Sequence, residues 1–343
     1  MSLTVERFTG DGAAWDAFGR SQRGWTHYHG YGWKRVVERT MGHAYIPLVA
    51  WDAGALAGIL PVVRVSTRLF GRYLVSMPFL NYGGPIGTDE AVAELARHAA
   101  VLADHERARL LELRSAVELP LSMPVSHRKI TVVLPLPAGG DTEAAWKALG
   151  TKLRAQVKRP QKEGVEVRFG PDQVDPFYEV FARHMRDLGT PALPRTFFRA
   201  IAHEFGGDAW FGAAWLGGRP IAAGAGFRWG DEFEMTWASA LTEHNRIAPN
   251  MALYWSFIER AVREGVRRFN FGRCTPGGGT HRFKRQWGAL DEALWWYQHV
   301  PGGGAAATPS PDDSAYSWGP RLWKKLPLPL ATALGPRIVR GIP

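Results

Sequence analysis

The chain carries one supersecondary unit twice, and that repetition constrains its fold more than any other feature. VAWDAGALAGILP (Val49–Pro61) aligns with AAWLGGRPIAAGAG (Ala213–Gly226), so Trp51 meets Trp215 and Gly54 meets Gly218. Each segment reads as two strands around a glycine turn. A helical stretch and then a short strand follow each hairpin: RLLELR (109–114) in the first half, RFNFGR (268–273) in the second. The shared order of hairpin, helix and strand predicts a duplicated α/β domain with mixed sheets, each copy of about 140 residues. Antiparallel hairpins do not suit a doubly wound parallel sheet.

Periodicity fills in the rest. Helices are expected over Tyr31–Met41, closed by Gly42, and over Asp89–His105, Asp175–Leu188, Arg195–Phe205 and Asn250–Glu264. A further helix starts at Asp141, carries Trp146, Leu149, Leu153 and Val157 on one stripe, and is disrupted at Pro160. Strands are expected over Tyr45–Trp51, Leu56–Val65, Arg109–Leu113, His127–Leu134, Val165–Phe169, Trp210–Leu216, Pro220–Trp229, Phe233–Ala240, Arg267–Phe271 and Ala293–His299. Ser76–Gly87, rich in proline, asparagine and glycine, reads as a loop. The first thirty residues give no clear pattern. The break at Pro135–Gly140 divides the chain into domains 1–140 and 141–300, followed by a Gly/Ala/Pro linker 301–320 and a basic amphipathic tail 321–343.

Composition excludes several classes. The single cysteine, Cys274, forms no intrachain disulfide and closes no cysteine zinc site. The N-terminus lacks a basic start followed by an apolar run, and no apolar stretch is long enough to span a bilayer, so a cytoplasmic location is expected. The net charge of +10 favours anionic partners. The tail mixes Trp323, Leu326, Leu328 and Leu330 with Arg321, Lys324, Lys325, Arg337 and Arg340. It suits either peripheral contact with the anionic inner face of a membrane or packing back on the body.

The strongest chemical signal is NFGRCTPGGGTHRFKRQWGA, Asn270–Ala289. A strand, then Gly277-Gly278-Gly279 and Thr280, then Arg282, Lys284 and Arg285 suggest backbone N–H groups and cations converging on a phosphate or carboxylate. Arg273 is placed to orient that loop. A second basic cluster, Lys152, Arg154 and Lys158 with Arg159 and Lys162, suits a polyphosphate carrier such as a nucleotide-linked substrate or tRNA. Asn250, Tyr254 and Trp237 are candidates for a groove wall, with core packing the stronger reading for Trp237. His27 and His29 lack a third metal ligand nearby and read as loop or surface residues. Asp231-Glu232 and Asp291-Glu292 read as solvated turns. No metal is expected, and Cys274 has no evident general base to make it a nucleophile.

These residues also carry a resemblance. LRAQVKRPQKEGVEV, FYEVFARHMRDLGTPALPRTFF, APNMALYWSFIERAVREGVRRFNFGR and GGGTHRFKRQWGA occur in the order of the FemAB family, densest from Lys152 to Val300. More narrowly, with the tail LWKKLPLPLATALGPRIVRGIP, the chain resembles FemAB-like proteins associated with exosortase/PEP-CTERM systems. In the first 140 residues the likeness rests on YLVSMPFLNYGGP and the duplicated layout. It departs from the subgroup at Asn270, where aspartate is expected, and at Cys274, where serine is expected.

The resemblance implies two tandem GNAT-type domains. It implies an N-acyltransferase that moves an acyl or aminoacyl group to an amine of a cell-envelope or exopolysaccharide precursor by direct attack. Lys284, Arg282 and Thr280 would then act at the reacting carbonyl. The donor is either aminoacyl-tRNA or acyl-CoA, and no tightly bound cofactor is expected. The short pattern that binds acyl-CoA pyrophosphate in ordinary GNAT enzymes occurs only at Arg7–Gly12 and Arg39–Ala44, neither of which suits the role. Two other readings stand beside this one: an acetyl-CoA-dependent N-acetyltransferase of an amino sugar, and a non-catalytic scaffold. The oligomeric state is left open.

Overall fold

The computed structural model describes residues 3–67, 70–304 and 318–342. The chain divides into two compact units.

The first unit holds β1 (Thr4–Arg7), α1 (Gly12–Ser21), α2 (Gly32–Met41), β2 (Ala44–Asp52), β3 (Ala55–Thr67), β4 (Gly71–Val75), β5 (Ile86–Gly87), α3 (Asp89–His105), β6 (Leu110–Ser115) and β7 (Val125–Ser126). The second holds β8 (Ile130–Pro135), α4 (Thr142–Ala148), α5 (Thr151–Lys162), β9 (Glu166–Phe169), α6 (Val174–Leu188), α7 (Arg195–Phe205), β10 (Ala209–Leu216), β11 (Arg219–Trp229), β12 (Glu232–Ala240), α8 (Pro249–Arg263), β13 (Arg268–Cys274), α9 (Gly279–Arg285) and most of β14 (Leu290–Ala293). β15 (Trp295–His299) returns to the first unit. Helices α10 (Trp318–Trp323) and α11 (Leu328–Val339) follow.

The duplication is visible strand by strand. The first sheet runs β1-β2-β3-β4-β6-β15-β7 and the second β9-β10-β11-β12-β13-β8-β14, read from the other edge. Both hairpins turn on two residues of positive φ, Ala53-Gly54 in one and Gly217-Gly218 in the other. This turn follows the twist of the flanking strands. Each hairpin also has a register shift at the tryptophan paired in the sequence alignment, Ala50/Trp51 and Ala214/Trp215.

Each sheet contains a parallel pair joined by a crossover helix. In the first, β4 and β6 pair over three rungs, Tyr73↔Leu110 to Val75↔Glu112. In the second, β12 and β13 pair over Glu232↔Arg268, Phe233↔Phe269 and Glu234↔Asn270, and then part. β12 continues to Ala240 against β11, while β13 continues to Cys274 against β8.

Helix α8 covers one face of the second sheet and buries Leu253, Tyr254, Phe257, Ile258, Ala261 and Val262 among others. A Cβ at Gly212 would lie 2.9 Å from the Phe257 ring, so close helix-on-sheet contact requires the absence of a side chain there. Helices α6 and α7 bring Phe177, Phe181 and Phe198 into a ring cluster with Phe211 and Trp237. Each such ring contributes about 1.5–3 kcal/mol by burial.

The structure differs from the sequence reading at several points. The division at 140/141 splits neither sheet correctly, because β8 pairs β13 in the second sheet and β15 pairs β6 in the first. The two halves exchange a strand, which local periodicity does not register. The helix after Asp141 is interrupted at Leu149-Gly150 and not at Pro160, which lies inside α5 within its last turn and is buried. The unassigned N-terminus forms β1 and α1. Much of the proposed linker lies outside the described residues. The tail forms α10 and α11 and buries Ala331 and Gly335.

Candidate active site

β13 is the floor of the site, and its sequence bends it. Arg268 is held between Glu232, 3.0 Å from Nε, and Glu292, 2.9 Å from Nη2. Two residues on, the Asn270 amide serves at least three partners. Its Oδ1 accepts from the Gly272 N–H at 2.8 Å and the Thr131 hydroxyl at 2.5 Å, and its Nδ2 donates to Glu232 Oε1 at 2.8 Å. An amide both accepts and donates in this way, whereas an ionised carboxylate only accepts. An aspartate here would set two carboxylates face to face, and Glu232 is already pushed above its ordinary range by burial. Asn270 is therefore an anchor of the strand, and the departure from the expected acid has a structural reason.

Asn270 secures a bulge. The β13–β8 register shifts between Asn270 and Arg273, and Gly272 adopts φ +72, a conformation that favours glycine. The carbonyls of Gly272 and Arg273 accept from Lys284 Nζ at 2.6 and 3.0 Å. Lys284, on α9, is 3% exposed. Burial lowers its pKa from 10.5 to about 8, opposed by Cys274 and by the fully buried Glu234, which sits on the last rung of the parallel pair opposite Asn270. A largely dehydrated ammonium is thus fixed on the carbonyls of the β13 bulge.

The glycine loop is built differently from the expected open nest. The Gly277 N–H donates to His281 Nδ1 at 3.0 Å, and the Gly278 N–H turns back to Thr275 O at 3.3 Å. Because Nδ1 accepts, Nε2 carries the proton and donates to the Asp291 carboxylate at 2.9 Å. Arg282 Nη1 donates to Gly277 O at 2.7 Å and so braces the loop. Gly279 and the exposed Thr280 head α9, which is only seven residues long. The His281–Asp291 lock escapes sequence reading, which treats 291–292 as a solvated turn. Those acids, and Glu232, instead hold His281 and Arg268.

The remaining candidates divide. Arg273 lies beside Lys284 and contributes its backbone carbonyl. Tyr254 is buried behind the site, 5.5 Å from Phe271 and 5.0 Å from Phe283 by ring centres, and burial raises its hydroxyl pKa. Asn250 is half-buried in the first turn of α8. Trp237 packs edge-on against Phe198 at 5.1 Å and belongs to the ring cluster. A bulge after Glu234 in β12 rotates the strand, placing Met235 in the α8 core and Trp237 against α7.

Lys152, Arg154 and Lys158 lie on α5, whose Leu153 and Val157 are buried, and not on the β13–α9 site. Lys158 lies over the Trp146 ring at 5.6 Å, beside an open groove of about 270 Å³ also lined by Trp255 and Glu259. Of the two pyrophosphate-type patterns, Arg7–Gly12 does link a strand to a helix, but the strand is the edge strand β1. Arg39–Ala44 closes α2 through the left-handed Gly42.

His27 and His29 are buried, contrary to the expected surface role. His29 Nε2 donates to Gly84 O at 2.9 Å while Nδ1 accepts from the Thr26 N–H, and burial lowers the two pKa values to about 3 and 4. Among the described residues no group of three or more His, Cys, Asp or Glu side chains is arranged to hold a metal ion. No described helix is long and apolar enough to cross a membrane.

Residues 147–285 match the acetyltransferase (GNAT) domain family, a span that contains the β12–β13 pair, α8 and α9. No curated protein matches the chain in sequence. Among solved structures it is similar to FemX, with TM-score 0.64 and 13% identity over 85% of this chain and 97% of that one. It is similar to L-PGS from Bacillus licheniformis, with TM-score 0.55 and 10% identity over 96% and 97%. A tandem GNAT protein from the clavulanic acid biosynthesis pathway gives TM-score 0.51 and 12% identity over 89% and 100%. At these identities the likeness speaks to the fold, which is a tandem GNAT-like arrangement.

Proposed function

We propose that the second unit transfers an acyl group from an activated donor to an amine by direct attack, with Lys284 stabilising the charge that develops on the carbonyl oxygen. The observation that carries this reading is the buried Lys284 ammonium fixed on the carbonyls of the β13 bulge, within the span matching the acetyltransferase domain. An ammonium has three donors. Two are engaged by the Gly272 and Arg273 carbonyls, which fix its direction, and we assign the third to the acyl oxygen. In a dehydrated site such a donor is worth far more than in water, and it needs no reorganisation when the tetrahedral oxyanion forms. The amine forms the new C–N bond, the donor's ester or thioester bond breaks, and the amine proton leaves with the departing group or solvent. Thr280 and Arg282, at the start of α9, are the groups we assign to the donor's polar atoms.

For the donor, we favour an aminoacyl ester of the kind carried by tRNA. The connection from β12 to α8 contains no glycine, and Pro249 opens the helix, removing an N–H that a pyrophosphate would take. Lys152, Arg154 and Lys158 would hold a polyphosphate chain. The sequence resemblance to exosortase/PEP-CTERM-associated FemAB-like proteins supports an acceptor amine on a cell-envelope or exopolysaccharide precursor. The second reading, acetyl-CoA as donor, is favoured by the domain match at 147–285.

Titration with charged tRNA, uncharged tRNA and acetyl-CoA at two salt concentrations tests the donor. Preference for charged over uncharged tRNA supports the first reading, and saturable acetyl-CoA binding alone supports the second. Lys284→Ala should lower turnover by about 10²–10³-fold with native circular dichroism. Unchanged turnover would remove Lys284 from the chemistry.

A further inference from the structure

Seven large hydrophobic side chains are strongly exposed among the described residues, and three of them, Leu322, Leu330 and Leu334, fall in the short segment formed by α10 and α11. They are 58%, 52% and 41% exposed. Their exposure does not come from a segment that failed to pack. Ala331 and Gly335 are buried, a Cβ at Gly335 would lie 3.1 Å from the Ala192 backbone, and the Trp323 ring rests on the same glycine. Pro320 seats on Gly189, and Arg186 Nη1 donates to Leu326 O at 3.3 Å. One face of α11 is thus fixed to the second unit. Leu330 and Leu334, one turn apart, present a second apolar stripe to solvent. Leu188, 53% exposed, adjoins Gly189 under Pro320 and adds to the apolar surface.

The charge carried by the segment itself has one sign. Residues 318–336 contain Arg321, Lys324 and Lys325, all exposed, and no aspartate or glutamate. None of the three is in an ion pair among the described residues. An apolar partner protein would leave these cations uncompensated, whereas an anionic bilayer takes both features at once. Leucines enter the boundary between headgroups and acyl chains while lysine and arginine meet the phosphates.

We propose that α10 and α11 form a docking surface for an anionic lipid bilayer, with Leu322, Leu330 and Leu334 inserting shallowly and Arg321, Lys324 and Lys325 contacting the headgroups. Docking is reversible, since a few leucines and three cations do not anchor a protein permanently. The proposal is independent of the transfer chemistry assigned to the second unit.

The test is co-sedimentation of the full chain with vesicles of phosphatidylcholine alone or with about 30% phosphatidylglycerol, at about 0.1 and 0.5 M salt. The chain should sediment with anionic vesicles at low salt, and bind at least about tenfold more weakly to neutral ones or at high salt. Two variants at exposed positions separate the contributions: Leu330→Asp with Leu334→Asp, and Lys324→Glu with Lys325→Glu. Each should weaken binding at least about tenfold while leaving the melting temperature unchanged. Failure of the unaltered chain to bind anionic vesicles overturns the proposal, as does wild-type binding by either variant. Lipid-free sedimentation velocity covers a second copy as occupant. If the aspartate pair converts a dimer to a monomer and leaves vesicle binding intact, the apolar face is a contact between copies and the proposal fails.

Discussion

Lys284→Met removes a cation whose burial should be readable in the pH dependence of stability. In the folded chain the ammonium titrates at about 8, against an ordinary value of 10.5. The folded-state value is the lower one, so between the two the unfolded chain binds more protons than the folded chain, and stability rises with pH. Near neutrality both states are protonated and the full cost of burying the charge is present. In alkaline solution the folded state has shed the proton and the cost is gone. Integrating between about pH 7 and pH 10 gives a gain of about 2.5 kcal/mol from this group alone. The methionine variant has no such group, so the titrations of groups that do not interact with Lys284 cancel in the difference between the two proteins. Urea unfolding of the full chain, following the transition that the substitution shifts, measures that difference at each pH. It should widen by about 2.5 kcal/mol in favour of the unaltered protein. A difference constant to within about 0.5 kcal/mol would refute the dehydrated position of the ammonium behind the β13 bulge.

Three further outcomes are expected. Asn270→Asp replaces the donor to Glu232 by a carboxylate and should cost about 2 kcal/mol near neutral pH. The added acid faces Glu232 and resists ionisation, so the loss should shrink on acidification, as thermal melts at several pH values would show. Gly226→Ala places a methyl group 2.0 Å from the Glu234 carbonyl oxygen, at the bulge of β12, and should destabilise the chain by more than about 3 kcal/mol or abolish soluble expression. His281→Ala releases the Gly277 N–H. Amide exchange at residues 275–280 should accelerate, while global stability changes by less than about 1 kcal/mol, because the His281–Asp291 pair is partly exposed.

The parts of the fold that depend on neighbours in sequence were legible from it. Helices α3 and α7 occupy Asp89–His105 and Arg195–Phe205, the spans their periodicity predicts, because each has its own apolar stripe. Both hairpins were legible from their turn residues. The strand exchange was not, because the pairing of β15 with β6 is set by tertiary contact and leaves no local periodicity. Pro160 does not end the helix: it lies in the last turn of α5, and the helix stops two residues later at Lys162. At the candidate site, Lys284 could be found from its place in a basic run after glycines. Its burial could not, since it depends on a bulge that Asn270 holds from another element. The carboxylates at 232, 291 and 292 looked like turn residues because their partners, Arg268 and His281, lie 36, 10 and 24 positions away.

The exchanged strand gives the molecule a schedule as well as a shape. Trp295 pairs with Ser115, 180 positions earlier in the chain. During synthesis at about 5–20 residues per second, the edge of β6 waits roughly 10–40 s for its neighbour to be made. Until then the first sheet ends on an unpaired strand, an open template for other extended chains. Its completion is thereby tied to the finishing of the second unit's last strands. A nascent chain that stalls after residue 130 would be left with that edge bare, and would need a chaperone at a stage when the separate halves already look complete in sequence.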